Sequence, residues 1–298
     1  MQSTDGIINV QFAAPHPDLR PYVTTYYAAE IIGPNGSPVE DLLHPEWGSV
    51  RYVCNGTVSG GNHLDEVATA SPVTVVGPSS LATRMICHSM RIASFGLLPL
   101  GWHRFVGLPA SDFADRIVDA RDIAAKVDFV SLYAAVAGFS ELSDVTTVFD
   151  NALLTAMMQT TPSQRKDDAV IEALHRALHD PDVSSVAEIA DRLHLTGAQI
   201  ERLSKRAFGF PPKLLIRRQR FLRTLGLLIR QPKAKWSDIL DPQYHDQAHF
   251  NRDFQRFFGM SPTQYLALNQ PIVSVAAAAR MAALGNPLQG LHAPRDEA

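Results

Sequence analysis

The chain has 298 residues, of which 46% are hydrophobic and 19% charged, the composition of a globular protein with a core and not of a disordered tail or a fibre. Its start has neither the basic nor the apolar region of a signal peptide, and no apolar run approaches the roughly 18 residues of a membrane span. Cys54 and Cys87 lie far apart without a CxxC partner, which disfavours a disulfide framework and a zinc knuckle. We therefore expect a cytoplasmic protein.

Charge is distributed unevenly along the chain, whose formal net charge is −3. Residues 1–165 carry 9 Lys and Arg against 16 Asp and Glu, a balance of −7, whereas residues 166–298 carry 18 against 14, a balance of +4. Within the second part, residues 202–256 carry 13 basic against 4 acidic residues, a balance of +9. A basic block in an otherwise acidic chain indicates that one domain meets a polyanion.

The first 120 residues are predicted to be rich in β-strand. Short β-branched and aromatic runs alternate there with turn residues such as Gly-Pro and Asn-Gly pairs. The predicted strands cover residues 22–28, 49–54, 73–76 and 90–98. Short strands at this spacing are typical of a compact sheet or barrel.

Helical periodicity replaces this pattern in the next part of the chain. Two apolar stripes within 122–158 predict two helices, which either form a dimer contact or pack against the sheet of their own chain. A polar stretch at 160–168 predicts an interdomain boundary. We therefore predict an α+β protein of two domains: a β-rich sensor or dimerisation domain at 1–160 that ends in helices, an all-α domain at 169–268, and a partly flexible tail at 269–298.

A first helix-turn-helix is predicted near the start of the all-α domain. Ser184 or Ser185 can cap a helix whose apolar residues recur at helical spacing. His194 stands in the turn that follows, where a left-handed residue, normally glycine, is usual; histidine is among the residues that adopt this backbone. Thr196 can then cap a second helix.

The outward face of this second helix is suited to a DNA groove. The side chains predicted to lie on it are Ala198, Gln199, Glu201, Arg202, Lys205 and Arg206. Arginine forms bidentate pairs with guanine, and glutamate accepts from the amino group of cytosine. For this helix alone, an ordinary solvated face explains the charges equally well.

A second copy of the motif changes that balance. Residues 246–258 again place phenylalanines at helical spacing, while Gln247 and Asn251 lie one turn apart on another face beside Arg252. Glutamine and asparagine read adenine, and arginine reads guanine or phosphate. Both copies end in a glycine followed by a proline stop. With the basic helix predicted between them, the pattern predicts two helix-turn-helix units joined by a linker helix.

The sequence resembles the AraC/XylS family of bacterial transcriptional regulators over about residues 169–268. The motifs that carry the resemblance are 246–254 and 258–262, together with Leu195, Thr196, Arg202 and Leu203. The resemblance implies that both recognition helices enter successive major-groove segments on one side of the duplex. It implies that His249 faces the DNA backbone. It implies base-facing positions at Ala198, Glu201, Arg202, Gln247, Ala248, Asn251 and Arg252.

Three positions depart from the family pattern. Ser204 replaces a core phenylalanine, so we expect the first recognition helix to pack less firmly. The helix before the second motif is one residue short, and Pro242 removes a backbone donor from its last turn. Gln243 stands in place of a glycine. We expect these changes to alter the geometry of the second unit and to leave its recognition face in place.

The N-terminal half resembles, less strongly, the uncharacterised β-rich sensor domain that precedes the DNA-binding domain in a subset of these regulators. The segments that carry this resemblance are 17–27, 94–101 and 107–116, and they name no ligand. An alternative metal site would use His44, Glu46, His63, His88 and His103, but no H-x-H or HExxH spacing supports it. No catalytic motif is present either. We predict no metal, no cofactor and no enzymatic activity.

These observations predict a sequence-specific DNA-binding transcriptional regulator that responds to a small effector through its N-terminal domain. Arg202 and Asn251 are predicted to read bases, whereas Lys213 and Arg218 serve phosphate or the linker surface. The expected partners are double-stranded DNA, a second copy of the chain and RNA polymerase. The alternative is a small-molecule-binding or enzyme-like β domain whose helical region serves only dimerisation; salt-sensitive DNA binding separates the two.

Overall fold

The computed structural model describes residues 6–159, residue 165 and residues 167–293. The predicted boundary at 160–168 therefore lies mostly outside the described residues. No helix within the described ranges is both long and apolar enough to cross a membrane.

The N-terminal part is an antiparallel sheet in which β4 and β7 are the longest strands. The strands are β1 (Ile7–Ala13), β2 (Val23–Ile32), β3 (Val39–Leu43), β4 (Ser49–Asn62), β5 (Ala68–Thr69), β6 (Val73–Val76), β7 (Thr83–Leu97) and β8 (Ile117–Asp119). Their order is β1-β2-β7-β4-β6-β8, with β3 also paired to β7 and β5 to β4. The four predicted strands correspond to β2, β4, β6 and β7. The other four, β1, β3, β5 and β8, were not predicted, and they include the two shortest strands, β5 and β8.

The helices lie mainly in the second half of the chain. They are α1 (Pro99–Gly101), α2 (Tyr133–Val136), α3 (Leu142–Met158), α4 (Asp168–His179), α5 (Val186–Leu193), α6 (Gly197–Phe208), α7 (Pro212–Arg230), α8 (Trp236–Ile239), α9 (Gln247–Phe258), α10 (Pro262–Leu266) and α11 (Pro271–Leu284). The predicted architecture, a β-rich N-terminal part followed by a helical region with two helix-turn-helix units, is confirmed.

One face of the sheet is covered by α3. Phe149 of α3 lies with its ring centroid 4.8 Å from that of Phe95, 5.4 Å from Tyr52 and 5.5 Å from Tyr26. The prediction of two helices within 122–158 is wrong in its first part, because only residues 120–122 and 130–132 form short 3-10 turns there and α2 has only four residues. The apolar stripe of α3 is thus packed against the sheet of its own chain.

The other face of the sheet is covered by α11, where the sequence predicted a partly flexible tail. The buried carboxylate of Asp41 on β3 accepts hydrogen bonds from the backbone N–H groups of Ile272 (2.7 Å) and Val273 (2.8 Å). Those groups belong to the first turn of α11, where free N–H donors favour a negative charge. The local pattern of the tail did not reveal this, since the capping residue lies more than 200 positions away.

The sheet and the helical region share a core. Trp47, Leu98 and Leu100 belong to the same buried cluster as the apolar residues of α4, α5 and α6. A loop between β6 and β7, residues 77–82, touches the helical region as well; we call it the contact loop. The backbone N–H of Ala82 at its end donates to the carbonyl of Phe257 in the last turn of α9, at 2.8 Å. Each recognition helix is therefore supported in part by residues of the N-terminal half.

Candidate nucleic-acid interface

The first helix-turn-helix is built as the local sequence predicts. Ser185 caps α5, its hydroxyl accepting from the backbone N–H of Glu188 at 3.2 Å. The helix ends at His194, whose φ of 53° gives the left-handed turn that histidine was predicted to adopt. Thr196 then caps α6 in a capping box with Gln199. The turn and both caps fix where α6 begins.

The predicted face of α6 is exposed, but several of its side chains are engaged within the protein. The amide of Gln199 accepts from the backbone N–H of Thr196, at 2.8 Å. Lys205 pairs with Glu201 at 2.9 Å, and Arg206 with Asp167 at 2.5 Å. Ala198 and Arg202 are exposed, and the guanidinium of Arg202 has no hydrogen bond or ion pair to any residue that the structure describes. The guanidinium of Arg202 is thus free to bind a ligand.

The second recognition helix, α9, presents more free polar groups. Its N-cap is Asp246, which accepts from the backbone N–H of His249 at 2.6 Å. The exposed side chains on its predicted face are Gln247, Ala248, Asn251 and Arg252. Within the described ranges, Gln247, Asn251 and Arg252 have no side-chain hydrogen bond or ion pair. These three groups combine donors and acceptors suited to base edges.

His249 is only half-exposed, and it faces the linker helix. Its Nε2 lies 3.2 Å from a guanidinium nitrogen of Arg220 on α7, and its ring packs edge-on against Tyr244 at 5.1 Å between centroids. Partial burial and the positive charge of Arg220 lower the pKa of His249. A neutral His249 in this position braces α9 against α7.

A buried carboxylate holds α9 to the linker helix α7. Asp253 has no exposed side-chain surface, pairs with Arg217 and with Arg220 (3.2 Å), and accepts from the hydroxyl of Tyr244 at 2.8 Å. Beside it, the ring of Phe221 on α7 contacts the phenylalanines of α9. A buried charge is stable only when it is paired and hydrogen-bonded. The orientation of α9 therefore depends on these ion pairs.

The support helix of the second unit is short, as the departures from the family pattern predicted. It is α8, which ends at Ile239, before Pro242. The amide Nε2 of Gln243 donates to the carbonyls of Pro181 (2.6 Å) and Val183 (3.0 Å), which precede the first unit. Gln243 is not among the residues with a left-handed backbone. The residue that replaces glycine thus links the second unit to the segment that precedes the first.

Ser204, the other departure, is fully buried in α6. Its hydroxyl donates to the carbonyl of Phe210 at 2.8 Å. The smaller side chain is thereby hydrogen-bonded in the core and closes the turn after α6. Nothing in the described contacts of α6 requires a larger residue there.

The prediction that Arg218 contacts phosphate or the linker surface is wrong. Arg218 has no exposed surface; its guanidinium lies 3.9 Å above the ring of Trp47 and donates to the carbonyl of Ser79 in the contact loop at 2.8 Å. Arg223 pairs with buried Asp241 at 2.5 Å. Helical periodicity could not show these partners, because they come from distant parts of the chain. Lys213 is exposed, so its predicted phosphate contact stays a prediction.

Two histidines of α4 complete the contact around Trp47. The ring of His175 lies 5.1 Å from that of Trp47 and 4.8 Å from that of His179, measured between centroids. Burial, with nearby positive charges that include Arg218, lowers the pKa of His175 well below its usual value and that of His179 to about 3. Both rings are neutral at pH 7, which avoids placing further positive charge beside the buried guanidinium.

The histidines that a metal site would have used do not converge among the described residues. His44 bonds through Nε2 to the hydroxyl of Tyr265 (2.7 Å), and Glu46 pairs with Arg51. No group of three or more His, Cys, Asp or Glu side chains arranged to hold a metal ion occurs in the parts of the chain that the structure describes.

A protein-family model described as a helix-turn-helix domain matches residues 189–267, a range that contains both recognition helices and the linker helix. Residues 189–267 form an AraC-type helix-turn-helix domain. A domain of this type indicates a DNA-binding transcription regulator. All predicted base-facing residues lie within the AraC-type domain. No curated protein sequence matches the chain.

Solved structures with a similar course of the chain include ToxT of Vibrio cholerae bound to an unsaturated fatty acid, with 11% sequence identity over 89% of this chain and 96% of that chain and a TM-score of 0.43. Another is ToxT bound to (E)-4-(8-methylnaphthalen-1-yl)but-3-enoic acid, with 10% identity over 88% of this chain and 98% of that chain and a TM-score of 0.43. The AraC-like transcriptional activator CuxR has 11% identity over 72% of this chain and 85% of that chain, with a TM-score of 0.26. The similarity to ToxT extends over most of both chains without close superposition.

Proposed function

We propose that this chain regulates transcription by reading duplex DNA with α6 and α9 and responds to a small effector bound by its N-terminal half. The observation that supports DNA reading best is the set of exposed side chains without an intramolecular partner among the described residues: Arg202 on α6, and Gln247, Asn251 and Arg252 on α9. All four lie in the AraC-type domain. Arg206 and Gln199 were also predicted to bind DNA, but both side chains are engaged within the protein. The proposal therefore depends on them less.

The experiment is a sequencing-based selection of duplexes bound by the full chain, followed by affinity measurements at several salt concentrations. The full chain is used because Trp47, Leu98 and Leu100 complete the core of the helical region. We expect a defined operator and an affinity that falls steeply with salt, because phosphate contacts release counterions.

Arg202→Ala and Asn251→Ala are each expected to cost about 1–3 kcal/mol on the selected operator and to relax preference at one position. Arg121→Ala, a loss of the same charge at an exposed site of the N-terminal half, is the matched control. Equal losses on the operator and on random duplexes would reject the base-reading roles. A folded protein without salt-sensitive DNA binding would favour the alternative of a ligand-binding β domain whose helices serve dimerisation.

We further propose that the chain forms a homodimer and contacts RNA polymerase. We also propose domain limits at 1–160 and 169–268 and the absence of catalysis. Since α3 buries its stripe against its own sheet, a dimer contact in this part of the chain would use Val130 and Met158, which are exposed. Analytical ultracentrifugation of the full chain tests this proposal. A monomer at high micromolar concentration would contradict it.

A further inference from the structure

A cavity of about 140 Å³ lies between the second face of the sheet and α11. Most of its wall is apolar: the sheet contributes Val10, Phe12, Ala29, Ile31, Met90 and Ile92 among others, and α11 contributes Ile272, Val273, Ala276 and Ala277. An apolar protein cavity of about 150 Å³ is large enough to hold benzene. The space therefore fits one six-membered ring or a branched chain of similar size.

One wall of the cavity carries a buried cation that forms no ion pair with any residue the structure describes. Arg280 of α11 is only 4% exposed; it donates to the hydroxyl of Thr25 at 3.1 Å and lies 3.4 Å from a ring nitrogen of His292. Its Nε is buried and has no hydrogen-bond partner. Within residues 6–159, 165 and 167–293, no Asp or Glu oxygen lies within 4.0 Å of this guanidinium. A buried charge left in this state is costly unless something pairs with it.

Among the other ionisable groups that line the cavity, Glu46 attracts Arg280 electrostatically but forms its ion pair elsewhere. Glu46 is already paired with Arg51, so the two arginines and one glutamate leave one positive charge in excess. Burial lowers the pKa of His44 to about 4, which keeps its ring neutral at pH 7. One anionic group on a ligand would balance the excess positive charge of the lining residues.

We propose that this cavity binds a small carboxylic acid as its anion, with an apolar body of about one six-membered ring against the sheet and its carboxylate on Arg280. Carboxylate is favoured over a phosphate group because one guanidinium edge pairs with two carboxylate oxygens, whereas the surrounding wall is too apolar to satisfy a second negative charge. α11 supplies one apolar wall and the charged group. The site deepens the proposed function, on which its regulatory role rests.

The cavity is connected to the DNA-binding domain by hydrogen bonds. Glu46 lies at the edge of the cavity. Its backbone N–H donates to the hydroxyl of Ser79 at 2.9 Å, and its backbone carbonyl accepts from the N–H of Ser79, also at 2.9 Å. Ser79 belongs to the contact loop, which receives Arg218 of the linker helix and binds Phe257 of α9. A ligand that changes the Glu46–Arg51 pair thus acts on residues held against α7 and α9.

The test is calorimetric titration of the full chain, without DNA, with cyclohexanecarboxylate and with cyclohexanecarboxamide, which has nearly the same shape but no charge. We expect the acid to bind with a Kd of about 0.1–1 mM, the range open to a ligand of this size. The amide is expected to bind at least about tenfold more weakly, since it lacks the charge-assisted pair. Equal binding of the two, or no binding of the acid at about 10 mM, would overturn the proposal.

Two variants locate the ligand. Arg280→Met is expected to weaken binding of the acid about 10- to 100-fold and to leave that of the amide nearly unchanged. Ala276→Leu fills the cavity while keeping Arg280, and is expected to abolish binding of both compounds. Arg230→Met, at an exposed arginine of α7 that does not line the cavity, is the control. If Arg280→Met fails to fold, Ala276→Leu decides alone, and acid binding unchanged by Ala276→Leu would overturn the site.

The outcome is independent of DNA binding. Failure of the acid to bind while the operator is bound with salt sensitivity removes this site and leaves the proposed DNA-reading function. Binding of the acid by a protein without operator affinity removes the proposed DNA-reading function and leaves this site. Where both bindings occur, operator affinity measured with saturating acid is expected to differ by at least about threefold from that without acid, and with Ala276→Leu the difference is expected to disappear.

Discussion

The two helix-turn-helix units follow one sequence plan but are stabilised by different interactions. In the first, a support helix of two turns packs with α6 in an apolar cluster that includes Trp47, Leu98 and Leu100 from the N-terminal half. In the second, the support helix has one turn, and α9 is held by the buried carboxylate of Asp253 and by aromatic rings. A repeated motif thus fixes where each recognition helix begins and ends without fixing what holds it in place.

The largest expected effect is the loss of the buried carboxylate. Asp253→Ala leaves Arg217 and Arg220 without their partner and Tyr244 without its acceptor, so we expect the free energy of unfolding to fall by about 3–5 kcal/mol. Urea unfolding of the full chain measures it. Asp191→Ala, an exposed carboxylate on α5, is the control and is expected to change stability by less than about 0.5 kcal/mol. Similar losses for both variants would show that the ion pairs do not hold the second unit.

The core that supports the first unit, which includes α4, is expected to be the more sensitive to acid. Because the pKa values of His175 and His179 are lowered in the folded state, the folded protein binds fewer protons than the unfolded chain. The stabilisation is therefore present above the unfolded pKa of about 6.5 and is lost as pH falls below it. We expect a loss of up to about 2 kcal/mol for the pair between pH 7 and pH 5.5.

Urea unfolding at the two pH values measures this loss. The double variant His175→Gln, His179→Gln removes both titrating rings, so its stability is expected to depend less on pH by the same amount. An unchanged pH dependence in the double variant would contradict the assignment to these histidines.

The smallest expected effect is one that the two units share. Thr196→Ala and Asp246→Ala each remove the N-cap of a recognition helix, and each is expected to lower the free energy of unfolding by about 1 kcal/mol. Equal losses would support the view that the units differ in their support and not in their helix starts. A loss from Asp246→Ala several times that from Thr196→Ala would extend the difference to the starts of the helices.

The parts of this structure that the sequence predicts are those fixed by neighbouring residues. The left-handed His194, the cap at Thr196 and the exposed face of α9 depend on spacing over a few positions, and the structure has them as predicted. Partners that are distant in sequence are not predicted in this way. In the sequence, Arg218 resembles any surface arginine of a basic helix, because its partners, Trp47 and the contact loop, come from other parts of the chain. Asp41 likewise lies in a short strand with two acidic residues, which has no clear strand pattern, and its role depends on α11.

The position of α11 also determines the order in which the protein is completed during synthesis. Domains at the start of a chain generally fold first as they leave the ribosome, but here the helix that covers the second face of the sheet is made after every strand and after both recognition helices. Until residues 271–284 emerge, Val10, Ile31 and Ile92 line an uncovered apolar surface, which is a site of aggregation in a nascent chain. A message truncated before this segment would encode all of the DNA-reading residues and still yield a sheet without its cover.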